Sequence, residues 1–154
     1  MIVTLGPPES LDYHDSQSVS LARPVSPLEA WNIIMASPQP LLRAAFAVRD
    51  AISARFGVKR IGGFSGARVT QAAAGEYLDF FLVEEATPEH LVLTERDRHL
   101  DVMTCVSCEG QVLTITSSVI THNLFGRAYM VPVGIAHRVI VRNMLARLAR
   151  EVQA

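Results

Sequence analysis

The chain closes on THNLFGRAYMVPVGIAHRVIVRNMLARL, residues 121–148, whose spacing predicts one helix of ~27 residues from near Gly126 to near the C-terminus. At 1.5 Å per residue such a helix is about 40 Å long. Its apolar stripe, Met130, Val133, His137, Val141, Met144 and Leu148, needs a surface of that length to cover it. The sequence supplies one just upstream. YLDFFLVEEA, HLVLTE, HLDVMTCVSC and QVLTITSSVITH are apolar, β-branched runs divided by turns, the pattern of an antiparallel meander. A strand of about eleven residues spans roughly 36 Å, so the helix can lie along the concave side of a curved sheet, and the expected fold class is α+β.

The N-terminal half adds smaller pieces. Residues 1–12, with Gly6, Pro7 and Pro8, read as a loose lead-in, and residues 13–154 as a single domain. A short strand is expected from Ser16 to Arg23. Ser26, Pro27 and Glu29 form a helix-start signature, in which the serine oxygen caps, proline opens the helix and glutamate reciprocates. Leu28, Trp31 and Met35 give that helix its buried side. A second helix is expected from Leu41 to Phe56, with a stripe of Leu41, Ala45, Val48, Ile52 and Phe56, stopped by Gly57. Residues 61–75, IGGFSGARVTQAAAG, rich in glycine and small residues, fit a strand, a mobile loop, or part of each.

Turn chemistry sets the sheet register. A two-residue turn at Glu109 and Gly110 places Cys108 opposite Gln111, and one at Arg96 and Asp97 places Leu93 opposite Leu100. Leu91, Leu93, Leu100, Val102, Thr104, Val106, Leu113, Ile115, Ser117 and Val119 then share the core face. The outer face carries Val92, Thr94, His99, Asp101, Met103, Cys105, Thr114, Thr116, Ser118, Ile120 and His122.

With 14 basic against 15 acidic residues, the chain lacks the positive excess that a phosphate backbone attracts, so no nucleic-acid partner is expected. The first residues show no charged-then-apolar leader, and no run approaches ~20 apolar residues, so membrane insertion is not expected and a cytoplasmic location is. Cys105 and Cys108 sit in a strand, where neighbours three apart face opposite ways, and a zinc site needs two further ligands. Reduced structural thiols fit better, and nothing here calls for a metal or a cofactor.

His137 is the residue that asks for an explanation. A buried imidazole without a partner costs about 1–3 kcal/mol, and Thr104 and Ser117 are the polar residues nearest the middle of the core face. Either these hydroxyls satisfy a structural histidine, or the three groups are the polar points of an otherwise apolar pocket. Met130, Val133 and Val141 would then line that pocket, Tyr129 would stand at its mouth, and Arg98 at the rim would receive an anionic end or extend to water. His99 and Asp101 share a strand face as an acid–base pair would, but on the convex side. Asn123 suits a helix cap and Gly126 a close approach.

DRHLD at 97–101, THN at 121–123, GRAY at 126–129 and HRVIVRNML at 137–145 resemble the family DUF2867, an uncharacterised bacterial family of the START-like (SRPBCC, helix-grip) superfamily. The resemblance covers the second half to two-thirds of the chain. It implies a curved sheet closed around the C-terminal helix, often over a cavity, and brings no activity with it. Proteins of this type also occur fused to dehydrogenase-like domains. This sequence departs from the family pattern before the histidine, where Ile135 and Ala136 stand in place of a proline. The expectation is a domain that binds a small hydrophobic molecule. The rivals are a cyclase, dehydratase or hydrolase using His137, or His99 with Asp101, as general base, and an interaction module for a dehydrogenase-like partner or a second copy of itself.

Overall fold

The computed structural model describes residues 2–36, 40–55 and 68–153, leaving out the side chains of residues 40–42, 45–46 and 52–54. A six-stranded antiparallel sheet, ordered β1-β6-β5-β4-β3-β2, is built from β1 (Tyr13–Ser20), β2 (Tyr77–Leu78), β3 (Phe81–Ala86), β4 (His90–Arg96), β5 (Leu100–Glu109) and β6 (Val112–Thr121). Among the described residues the α-helices are α1 (Pro27–Met35), α2 (Pro40–Arg55) and α3 (Leu124–Glu151). The sheet is curved and α3 lies along it, a helix-grip arrangement.

Local chemistry explains the element ends. Ser26 caps α1 by accepting the Glu29 N–H at 3.1 Å, but the Glu29 carboxylate turns away and pairs with Arg23 at 2.7 Å, so the reciprocal half of the expected box is absent. Asn123 Oδ1 accepts the Gly126 N–H at 2.9 Å, which starts α3 two residues earlier than Gly126. The run YLDFFLVEEA is not one strand: Asp79, at φ 55°, turns β2 back onto β3. Of residues 61–75, only 68–75 are described. They form no strand, and Val69 exchanges two backbone hydrogen bonds with the Asn32 side chain, at 2.6 and 2.7 Å. Phe56 and Gly57 lie outside the described residues, as do the side chains of Leu41, Ala45 and Ile52.

The hairpin turns fall elsewhere than expected. Gly110, at φ 62°, and Gln111 form the β5–β6 turn, so Cys108 faces Leu113. In the β4–β5 hairpin Arg96 faces Asp101 and Leu93 faces Thr104. The faces nonetheless stay as expected, with Leu91, Leu93, Val106, Leu113 and Ile115 in the main core beneath α1 and α3. Cys105 is buried on the outer face, while Cys108 gives its thiol proton to the Val25 carbonyl at 2.8 Å, so the two sulfurs are separated as the strand period requires.

The first residues are more than a lead-in. Val3 and Leu5 pack on Val92, Met103 and Cys105, and the Leu5 N–H donates to Ser118 Oγ at 3.1 Å. The outer face therefore has its own small core, covered by the N-terminal segment. By length and composition α3 would also pass for a membrane-crossing helix. Here it buries Gly134, Ile140, Val141, Met144, Leu145 and Leu148 in the domain, the duty its stripe predicts.

Candidate functional site

The layers do not close completely. A cavity of about 710 Å³ lies between the concave sheet face and the helices. Phe81, Val102, Thr104, Val106 and Ile115 supply its sheet wall, and Trp31, Ile34 and Met35 of α1 close one side. Along α3 it is lined by Phe125, Ala128, Tyr129, Pro132, Val133, Ala136, His137, Ile140, Val141 and Met144. Ala44, Val48 and Arg49 of α2 stand at its mouth, where Val48 is exposed although the α2 stripe places it inward. Pro132 has no N–H, so the Ala128 carbonyl loses its ordinary helical donor where both residues meet the cavity.

His137 points inward and is held on both ring nitrogens. Tyr13 Oη lies 3.2 Å from Nδ1 and Ser117 Oγ lies 3.3 Å from Nε2. Tyr13 also donates to the Gly134 carbonyl at 3.2 Å. One proton assignment makes all three bonds: the Tyr13 proton goes to Gly134, Nδ1–H donates to the Tyr13 oxygen, and Ser117 donates to Nε2. The rings meet edge to face with centroids 5.7 Å apart. Above Tyr13 the Arg138 guanidinium sits 5.1 Å from the ring centre, and Arg138 pairs with Asp15 at 3.6 Å. Desolvation pushes the Tyr13 phenol up to about 12, with Asp15 adding to the shift and Arg138 opposing it, so Tyr13 stays neutral.

Burial also holds the His137 ring below its ordinary value of 6.5, with Asp15 opposing and Arg138 adding to the shift. The sign follows from proton linkage. As pH falls through about 6.5 the unfolded chain takes up a proton that the folded ring resists, so stability declines, and it levels off only below the depressed folded value. His137→Gln removes this contribution. Its melting temperature should therefore fall less than that of the wild type between neutral and mildly acidic pH. Parallel curves would place the imidazole in water.

Of the residues expected to touch a ligand, His137, Thr104, Val133, Val141 and Tyr129 line the cavity. Ser117 stands behind His137, only 2% exposed. Met130 leans away from the cavity toward Tyr13, Leu100 and Val119. Arg98 belongs to neither the core face nor the cavity wall: it is exposed in the β4–β5 turn, because that turn is longer than two residues and takes it out of the strand. Among the described residues the cation lining the cavity is instead Arg49, 3.6 Å from Asp50 and 3.5 Å from Asp97. Tyr129 joins this group through a hydrogen bond with Arg49, and burial raises its phenol above the usual range.

The His99 and Asp101 pair is not assembled. His99 Nδ1 takes the Asn123 side-chain amide at 2.9 Å and its ring lies 4.4 Å from that of Phe125. Asp101 instead binds Arg96 at 3.0 Å and His122 at 3.1 Å. Both join the corner where the β4–β5 turn, the end of β6 and the start of α3 meet. Asp97 accepts the His99 and Leu100 N–H groups at 2.7 and 3.0 Å, and Thr121 gives its N–H and hydroxyl to Asp12 at 2.7 and 3.0 Å. Tyr13 and Asp15, which build the environment of His137, are not among the residues the sequence singles out. The alternation of Tyr13, Asp15, Gln17 and Val19 was the available signal.

The family model described as "Protein of unknown function (DUF2867)" matches residues 8–144. Among solved structures, a crystal structure of hypothetical protein jhp0584 from Helicobacter pylori is 17% identical, over 99% of this chain and 98% of that one, with a TM-score of 0.45. No curated protein matches the chain.

Proposed function

The chain belongs to the DUF2867 family, and from its own interior we propose that it binds a small, largely apolar molecule between sheet and C-terminal helix, as START-like (SRPBCC) domains do. The observation that carries this reading is the cavity itself. Its size is within the range of small-molecule sites, and its wall is apolar except at a few points. A reducing, cytoplasmic setting suits its two free thiols.

Thermal denaturation across a library of hydrophobic compounds tests it. A ligand at a hundred times its dissociation constant adds about 2.7 kcal/mol, which for a domain of this length raises the melting temperature by roughly 5–10 °C. No shift across a broad library would remove the proposal.

The enzyme alternative is weaker on geometry. A general base must reach a substrate proton, and His137 spends both nitrogens on Tyr13 and Ser117. His99 and Asp101 are held by different partners. A protein docking on the outer face would first meet the chain's own Val3 and Leu5 over the apolar centre of that face.

A further inference from the structure

Resting on the cavity reading, we infer that the Thr104 hydroxyl is the hydrogen-bonding anchor of the site, and that the ligand is an uncharged, largely apolar molecule carrying one hydroxyl or carbonyl group. Thr104 stands in β5 directly across the ladder from Ser117, on the strand beside the one that holds His137. The polar groups behind His137 satisfy one another: Tyr13 serves Nδ1 and Gly134, and Ser117 serves Nε2. Thr104 is different. It lines the cavity, and its side chain has no hydrogen-bond partner among the described residues. A hydroxyl at an apolar wall gains most from a ligand group that can accept or donate one bond, since the competing state leaves it facing a non-polar space.

Charge excludes the usual amphiphile. Among the described residues the cation in the wall is Arg49, and its position follows from Asp97, which it pairs with at 3.5 Å and which caps the turn before β5. Thr104 lies four residues beyond Leu100, about 13 Å along the strand. Arg49 also faces Asp50, so its charge is already engaged by two carboxylates, which weakens its pull on an anion. Among the described lining residues Arg49 is the cation, and it is paired toward the β4–β5 turn, so a carboxylate at Thr104 would lose hydration without an ion pair in return.

Titration calorimetry with decane, decanol, methyl octyl ketone and decanoate at neutral pH separates the possibilities. The alcohol and the ketone should bind roughly five- to tenfold tighter than the alkane and the carboxylate, the yield of one net hydrogen bond. Thr104→Val keeps the side-chain shape and should bring the alcohol and ketone down to the alkane, with an unchanged circular dichroism spectrum as the check on folding. Thr104→Ser keeps the hydroxyl and should keep the preference. Equal binding of all four compounds, tightest binding of decanoate, or a preference that survives in Thr104→Val overturns the anchor and leaves the cavity proposal standing. If decane and all its relatives fail to bind, the cavity proposal falls and the anchor falls with it.

Discussion

Replacing Gly126 by alanine is expected to lower the melting temperature by roughly 6–12 °C, from a cost of about 3 kcal/mol for overpacking. The direction is what makes the result informative. Alanine favours a helix over glycine by about 1 kcal/mol, so an unhindered Gly→Ala change in α3 would stabilise the protein. At Gly126 an added methyl group would drive into the backbone carbonyl of His99, with Thr121 Cβ also in contact at 3.4 Å. Neither can swing aside as a flexible side chain would. The His99 carbonyl already accepts the His122 N–H at 2.8 Å, and the Gly126 N–H is held by Asn123. Relief must therefore separate α3 from the β4–β5 turn, which also disturbs the His99 and Asn123 contact. Circular dichroism melting of the two proteins measures the effect. An unchanged or higher melting temperature would mean that the corner is not packed as described.

The sheet was legible because face assignment depends only on parity. Cys108 meets Leu113 where Gln111 was expected, and Leu93 meets Thr104 where Leu100 was expected, displacements of two and four residues. Side chains alternate with period two, so even displacements leave every residue on its face. The turns were harder to place, because Gly110 can take positive φ at either of two positions within EGQ, and Asp97 builds its turn with a side-chain oxygen rather than a glycine. For that reason a two-residue turn puts Arg98 on the core face, where the structure does not. In the longer turn it leaves the pleat, and parity no longer governs it.

The site was half legible. Periodicity brought Val133, His137 and Val141 of α3 to the face of Thr104, because both elements are regular there. Tyr13 and Asp15 were hidden because YHDSQSVS alternates polar with polar. In β1 the inward positions lie under α3 at the sheet edge, where Gln17 reaches the Arg138 carbonyl at 3.1 Å and Asp15 reaches the Arg138 side chain. An edge strand facing a helix can satisfy polar side chains in this way, so hydrophobicity fails as a guide to its register. The motif residues divide between two duties: His137, Ile140, Val141 and Met144 of HRVIVRNML line the cavity, while others build the end of the sheet. Asp97, His99, Asp101, His122 and Asn123 hold one corner together, and of the GRAY segment Ala128 and Tyr129 reach the interior.

Ala136→Phe gives the sharpest contrast between an open interior and a packed one. Ala136 stands on α3 beside His137, with its side chain toward the cavity. If the interior were filled, a phenyl ring there would force off-rotamer neighbours at a cost of about 1–3 kcal/mol. With about 710 Å³ available the ring enters without displacing the wall, and cavity filling of this kind commonly adds about 0.5–2 kcal/mol. The variant should therefore melt at or above the wild-type temperature and lose binding of any ligand found by thermal shift. The two readouts move in opposite directions, which separates steric occupation from simple unfolding. Loss of stability together with loss of binding would show the space to be needed for side chains. Retained binding in a stable variant would place the ligand somewhere other than between β5 and α3.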